Sequence, residues 1–226
     1  MGAAVILDVD GTLVDSNDAH TRAWLDAFAA HGITVAYQPV RRSIGMGGDK
    51  LMPAVAGIEE DTPQGKAISE TRGRIFKDRY LPHIRPFEGT RALLERFIAD
   101  GNQLAVASSA KEDELGPLLE IAQVSDLITV STSSDDADNS KPEPDIIHAA
   151  LKRVSAAPHD ALMLGDTPYD ITAATSAGVR IVAVECGGWR REDLRGAVEV
   201  YAAPADLLKR YDDSVFAHAR VPHAKA

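Results

Sequence analysis

Five short apolar runs, each closing on small or acidic residues, set the strongest limit on what this chain can fold into. They are AAVILDVD (3–10), QLAVASS (103–109), DLITVST (126–132), DALMLGD (160–166) and VRIVAVE (179–185). Runs this continuous fit strands buried on both faces, the condition of a parallel sheet. The segments between them carry helical spacing: TRALLERFIAD (90–100), with Gly101 in C-cap position, EPDIIHAALKRV (143–154) and PYDITAATSAG (168–178). EDELGPLLEIA (112–122) is a weaker helix, interrupted by Gly116 and Pro117. Strand and helix in alternation predict an α/β fold with a doubly wound, Rossmann-like parallel sheet.

Between residues 10 and 103 no run reads as a good strand. Residues 16–31, 48–56 and 63–80 read instead as helices, the first with Trp24, Leu25 and Phe28 on one side. The linkers LVDS and LPHIRPFEG (81–89) flank this block. The expected organisation is an α/β core of residues 1–14 and 85–215, a helical cap over 15–84 inserted after the first strand, and a C-terminal tail over 216–226.

The charge balance, 24 basic against 34 acidic residues for a net −10, argues against nucleic acid and against anionic membranes as partners. No apolar run approaches the roughly 20 residues of a membrane helix. One cysteine, Cys186, allows neither an internal disulfide nor a cysteine zinc site, and the start MGAAVILDVD lacks the pattern of a signal peptide. The expected location is cytoplasmic.

Ligands of open parallel sheets bind at the carboxyl ends of the strands. There the chain places Asp8 and Asp10, then Ser108 and Ser109, then Lys141 in SKPEPD, then Asp166 with Asp170 in GDTPYD. Four carboxylates around one lysine call for a cation, and oxygen donors of this kind suit Mg²⁺. Simpler roles exist for several of them. Ser109 with Glu112, and Thr167 with Asp170, fit helix capping boxes. Capping does not explain Asp8, Asp10 or Asp166 at the ends of apolar strands.

These residues in this order resemble the four motifs of the haloacid dehalogenase-like hydrolase superfamily. The inserted helical block resembles the cap of its subfamily I, which holds phosphoglycolate phosphatase and beta-phosphoglucomutase. DVDGTLVDSNDAHTRAW (8–24) is very similar to the start of the latter, including His20, Arg22 and Trp24. The resemblance implies Asp8 as nucleophile forming an aspartyl-phosphate and Asp10 as general acid, then base, kept protonated for the first step by Asp8 and its surroundings. It implies Mg²⁺ on Asp8, the Asp10 carbonyl and Asp166. Ser108, Ser109 and Lys141 would bind the phosphoryl group, Asp170 would orient Lys141 or a metal-bound water, and Thr12 would hold Asp10 in place. The implied function is Mg²⁺-dependent hydrolysis of a small phosphorylated metabolite.

Two siblings are alternatives. Phosphonoacetaldehyde hydrolases carry an MGxxK pattern like Met46, Gly47 and Lys50, but a small residue where Asp10 stands. The mutase uses a cap arginine near the position of Gly48. That arginine is missing, with Arg41 and Arg42 a turn away, while His20 matches a mutase histidine. His20, Arg41, Arg42, Gly47, Gly48 and Lys50 are the cap residues expected to face the substrate, the cationic ones suiting a second anionic group. Substrate identity and oligomeric state are not legible.

Overall fold

The structure is a computed structural model and describes residues 2–219. Strands β1 (Ala4–Leu7), β2 (Gln103–Ala107), β3 (Val130–Thr132), β4 (Ala161–Gly165), β5 (Arg180–Val184) and β6 (Glu199–Tyr201) form one sheet in the order β3-β2-β1-β4-β5-β6. Every neighbouring pair is parallel. The α/β fold read from the sequence is therefore the fold observed. The five apolar runs supply β1 to β5. The edge strand β6 was not among them, since it has three residues of which only Tyr201 is buried.

The reason for the unbroken runs is visible in the packing. Val5, Leu7, Leu104, Val106, Leu162 and Leu164 enter one core, while Ala4, Ile6, Ala105, Ala107, Ala161 and Met163 enter another on the opposite face. Alternate side chains point to opposite faces, and both faces are covered. Helices α7 (Asp145–Val154) and α8 (Pro168–Ser176) cover the Ala/Ile face. Helices α5 (Thr90–Ala99), α6 (Glu112–Ile121) and α9 (Pro204–Lys209) pack against the Val/Leu face. Helix α6 tolerates Gly116 and Pro117 because Leu115, Leu118 and Leu119 are buried, and tertiary packing outweighs local preference.

Between β1 and β2 the chain forms α1 (Asn17–Ala30), α2 (Tyr37–Ser43), α3 (Gly48–Ala56) and α4 (Pro63–Ile75). Helix α4 runs on into a π-helical turn, Phe76–Tyr80, and a 3₁₀ turn, Leu81–His83. This block rests on the first turns of α6 and α8, the helices that follow β2 and β4. Arg72 bonds Glu114 at 2.5 and 2.6 Å, Lys77 bonds Asp113 at 2.6 Å, and Tyr169 donates to the Arg42 carbonyl at 2.7 Å. At the other end of the chain Phe216, in α10 (Val215–His218), is buried 4.7 Å from the ring of Phe97, so the packed chain continues past residue 215. Residues 220–226 of the expected tail lie outside the described residues.

Candidate active site

Strand β1 ends on Leu7, and the ladder is prolonged by one bond, from the Asp8 N–H to the Leu164 carbonyl at 2.9 Å. Asp8 is thereby held at the strand edge beside the loop after β4. Lys141 Nζ lies 2.6 Å from Asp8 Oδ1 and 2.7 Å from Asp170 Oδ1, with the lysine side chain only 1% exposed. Thr12 Oγ1 lies 2.9 Å from Asp8 Oδ2 and 3.2 Å from Asp166 Oδ1. A hydroxyl has one hydrogen, so it satisfies one of these two carboxylates at a time. Asn17 Nδ2 donates to Asp166 Oδ2 at 3.0 Å and to the Gly187 carbonyl at 2.9 Å. Thr167 and Asp170 form the capping box expected of them, so Asp170 both starts α8 and pairs with Lys141.

Asp8, Asp166 and Asp170 each bring a carboxylate oxygen within 4.8 Å of the others. Burial pushes the Asp8 carboxyl up to about 7 against the pull of Lys141, with Asp170 and Asp10 adding to the rise. Burial, then Asp8 and Asp170, push Asp166 well above the usual aspartate range. Burial works against the Lys141 ammonium, but Asp170 and Asp8 outweigh it and hold it above the usual lysine range. The cluster is short of positive charge.

Asp10 departs from the expected arrangement. It lies beyond β1, and its carboxylate turns to α1 and away from Asp166. Ser16 Oγ donates to Asp10 Oδ1 at 2.5 Å, and His20 Nε2 lies 2.8 Å from the same oxygen. His20 is stacked on Phe76 at 4.1 Å. Burial raises the Asp10 carboxyl, yet His20, Ser16 and Arg72 together hold it below the usual range. The groups that touch the Asp10 carboxylate in this arrangement are thus Ser16 and His20 rather than Asp8. Thr12 likewise bonds Asp8 and Asp166, so it does not hold Asp10. Gly11, at φ +78°, stands between Asp10 and Thr12.

Ser108 is fully buried and its Oγ accepts the Ala110 N–H at 3.0 Å. Ser109 makes no capping box with Glu112; Lys111 occupies the N-cap of α6, and Ser109 donates to the Gly45 carbonyl at 3.2 Å. Cys186 is a half-buried thiol whose pKa is pushed up to about 12, by burial first and then by Asp166.

Asp8 and Asp10 line a cavity of about 30 Å³ with His20, Trp24, Arg72 and Ser109. A second cavity of about 260 Å³ shares Trp24, Arg72 and Ser109 with it. Of the six residues expected to face the substrate from the helical block, His20 lines the first and Gly48 the second. Gly47 packs against Ser140, whose Oγ lies 2.0 Å from where a Cβ would stand. Arg41 bonds Asp18 at 2.9 Å and the Gly187 carbonyl, and Arg42 lies 4.4 Å over the Trp189 ring beside Asp193. Neither arginine lines either cavity, nor does Lys50. Arg41 and Arg42 fasten the block to the core because their partners Gly187, Trp189 and Asp193 come from the loop after β5, far from them in sequence. Sequence reasoning missed Arg72, Asn17 and Lys111. Arg72 carries no motif, and its buried partner Glu114 sits in an ordinary acidic helix start.

The comparisons with known proteins agree with this geometry. The sequence model of the haloacid dehalogenase-like hydrolases matches residues 5–184. A phosphoglycolate phosphatase from Rhodospirillum rubrum is 30% identical over 218 residues, 92% of this chain and 90% of its own. An N-acetylmuramic acid 6-phosphate phosphatase from Pseudomonas aeruginosa is 28% identical over 217 residues, 92% of this chain and 94% of its own. The crystal structure of a hydrolase from Pseudomonas syringae superposes with a TM-score of 0.87 at 29% identity, covering 94% of this chain and 99% of that one. With the four motif segments gathered at one sheet edge, these matches show that the chain belongs to the haloacid dehalogenase-like hydrolase family.

Proposed function

We propose that the protein is a Mg²⁺-dependent phosphomonoesterase that acts on a small phosphorylated metabolite through an aspartyl-phosphate on Asp8. One observation carries the reading: Asp8 is the one carboxylate that belongs both to the buried acid cluster and to the cavity wall. The names of the phosphatase relatives support the reaction class.

The donor set fits a hard divalent cation. Three buried carboxylates share one lysine, and Asp166 has only Asn17 and a shared Thr12 hydroxyl as donors. Asp8 and Asp166 would hold the ion, with Asp170 beside them. Mg²⁺ bound there supplies charge neutralisation at the acids and at the phosphoryl oxygens. The rest falls to the chain's own residues. Lys141 and Thr12 aim the Asp8 carboxylate by bonding one oxygen each. Asp8 attacks phosphorus, the ester bond to the alcohol breaks, and the alcohol leaves with a proton from Asp10. Asp10 then takes a proton from water, which attacks the aspartyl-phosphate and frees phosphate and Asp8. These halves need opposite protonation states of one carboxyl. The lowered Asp10 carboxyl supports the base half, and the acid half requires it to leave His20 and Ser16 protonated. Ser108 and Lys141 would bear charge on the transferring group. The helical block would act as a cap that closes over the substrate and excludes water.

A second reading, an intramolecular phosphotransferase on a hexose phosphate, is favoured by the contact between His20 and Asp10. It is disfavoured by Arg41 and Arg42 turning to other partners. The Schiff-base chemistry of phosphonoacetaldehyde hydrolases finds no support, since Lys50 lines neither cavity. The test is phosphate release from a panel of metabolite phosphates with Mg²⁺ and with chelator, using Asp8→Asn as blank. Release that needs Mg²⁺ and Asp8 is the expected result. Isomerised hexose phosphate without free phosphate would replace hydrolysis with the second reading.

A further inference from the structure

We propose that the larger cavity receives the leaving group of the phosphate ester, and that it selects a group that donates hydrogen bonds, through hydroxyl or ammonium, and excludes one carrying a second anion. This rests on the phosphatase reading and names the substrate class it leaves open. The cavity adjoins the Asp8 cavity through Trp24, Arg72 and Ser109. At about 260 Å³ it suits a small metabolite, below the roughly 300–1,000 Å³ of drug-sized sites.

Its charge is the deciding feature. Asp49, Glu60, Asp135 and Asp138 stand on its walls, with Lys111 and Arg72 as the cations. Arg72 is paired through Nη1 with both oxygens of buried Glu114 at 2.5 and 2.6 Å, while its buried Nε has no partner. Lys111 reaches Ser69 Oγ at 3.3 Å and is otherwise exposed. Asp49 Oδ1 is buried without a hydrogen-bond partner. A carboxylate or second phosphate placed here would face like charges on several sides, from half-buried Asp49 and Glu60 and exposed Asp135 and Asp138, the arrangement by which sites reject wrong partners. Hydroxyl or ammonium hydrogens meet the carboxylates directly. The sequence-based expectation of a second anionic group, drawn from Arg41, Arg42 and Lys50, is reversed because those three residues lie elsewhere and acids take their place.

The experiment compares kcat/KM of the Mg²⁺-loaded enzyme for glycerol phosphate, phosphoethanolamine and phosphoglycolate, with p-nitrophenyl phosphate as a reference that needs no polar chamber. The first two should exceed phosphoglycolate by about tenfold or more, the scale of an unrelieved like-charge contact. The double variant Glu60→Gln/Asp138→Asn should narrow that ratio. A larger loss for phosphoethanolamine than for glycerol phosphate identifies ammonium as the favoured donor, and a larger loss for glycerol phosphate identifies hydroxyl. Phosphoglycolate turned over as well as the others, or a ratio untouched by the double variant, overturns the proposal while aryl phosphate hydrolysis keeps the phosphatase reading. No aryl phosphate hydrolysis above the Asp8→Asn blank overturns both.

Discussion

At the scale of single residues the site depends on close approach. A Cβ at Gly187 would stand 1.7 Å from Asp166 Oδ2. Gly187→Ala should therefore push Asp166 aside and leave the backbone able to fold, since Gly187 is not among the positive-φ glycines. We expect metal affinity to fall by about 10- to 100-fold, the usual cost of disturbing a ligand's surroundings, with an unchanged far-UV spectrum. Isothermal titration with Mg²⁺ measures the first and circular dichroism the second. His20 acts on Asp10 in a way that titration can read. Removing His20 takes away the neighbour that most favours ionised Asp10, so the Asp10 pKa rises. In His20→Asn the alkaline limb of the kcat/KM profile, where Asp10 loses the proton it gives to the leaving alcohol, should move to higher pH. An unmoved limb would detach that ionisation from the Asp10–His20 pair.

At the scale of elements, most helix ends were legible and two were not optimal. Helices α6 and α7 close on left-handed residues that are not glycine, Gln123 at φ 59° and Ser155 at φ 54°. Each is followed by an N–H reaching back five residues, Val124 to Leu119 and Ala156 to Leu151 at 3.1 Å, the bond that closes a Schellman motif. A side chain in that conformation costs up to about 1–2 kcal/mol. Ser155→Gly should stabilise the fold by up to about 1 kcal/mol, read as a higher urea midpoint at unchanged slope. The two capping boxes read from the sequence had different fates. Thr167 and Asp170 form theirs because Asp170 can serve α8 and Lys141 together. Ser109 does not, because α6 starts at Glu112 with Lys111 as its N-cap, which leaves Ser109 two residues outside the cap position.

At the scale of the whole molecule, acid cluster and helical block govern stability. Asp8, with a folded pKa of about 7 against an ordinary value near 4, favours folding most when protonated. Its contribution is complete below about pH 4 and is lost as pH rises through 7. In chelator, Tm should therefore fall over that window, and Mg²⁺ should offset the loss at pH 7 and above. At 100-fold saturation over Kd the ion adds about 2.7 kcal/mol. A metal-independent Tm would contradict the fit of the cluster to a divalent ion. The block is tied to the core by Arg72 and Glu114, whose side chains are 14% and 1% exposed. Glu114→Ala leaves Arg72 unpaired and should cost about 3–5 kcal/mol in thermal or urea unfolding.

The order of elements, the parallel sheet and the motif residues of the core were determined by the sequence itself. Continuous apolar runs have one stable use, burial on both faces of a sheet, and acids placed at their ends share one edge by topology alone. Only the tertiary structure decided which way Asp10 turns, that Thr12 bonds Asp8 and Asp166, that Arg41 and Arg42 serve the core and that Arg72 walls both cavities. These depend on contacts across long separations, such as Arg72 with Glu114 and Arg41 with Gly187. Local spacing carries no information about such contacts, because the partner's position is set by how the helical block seats on the sheet.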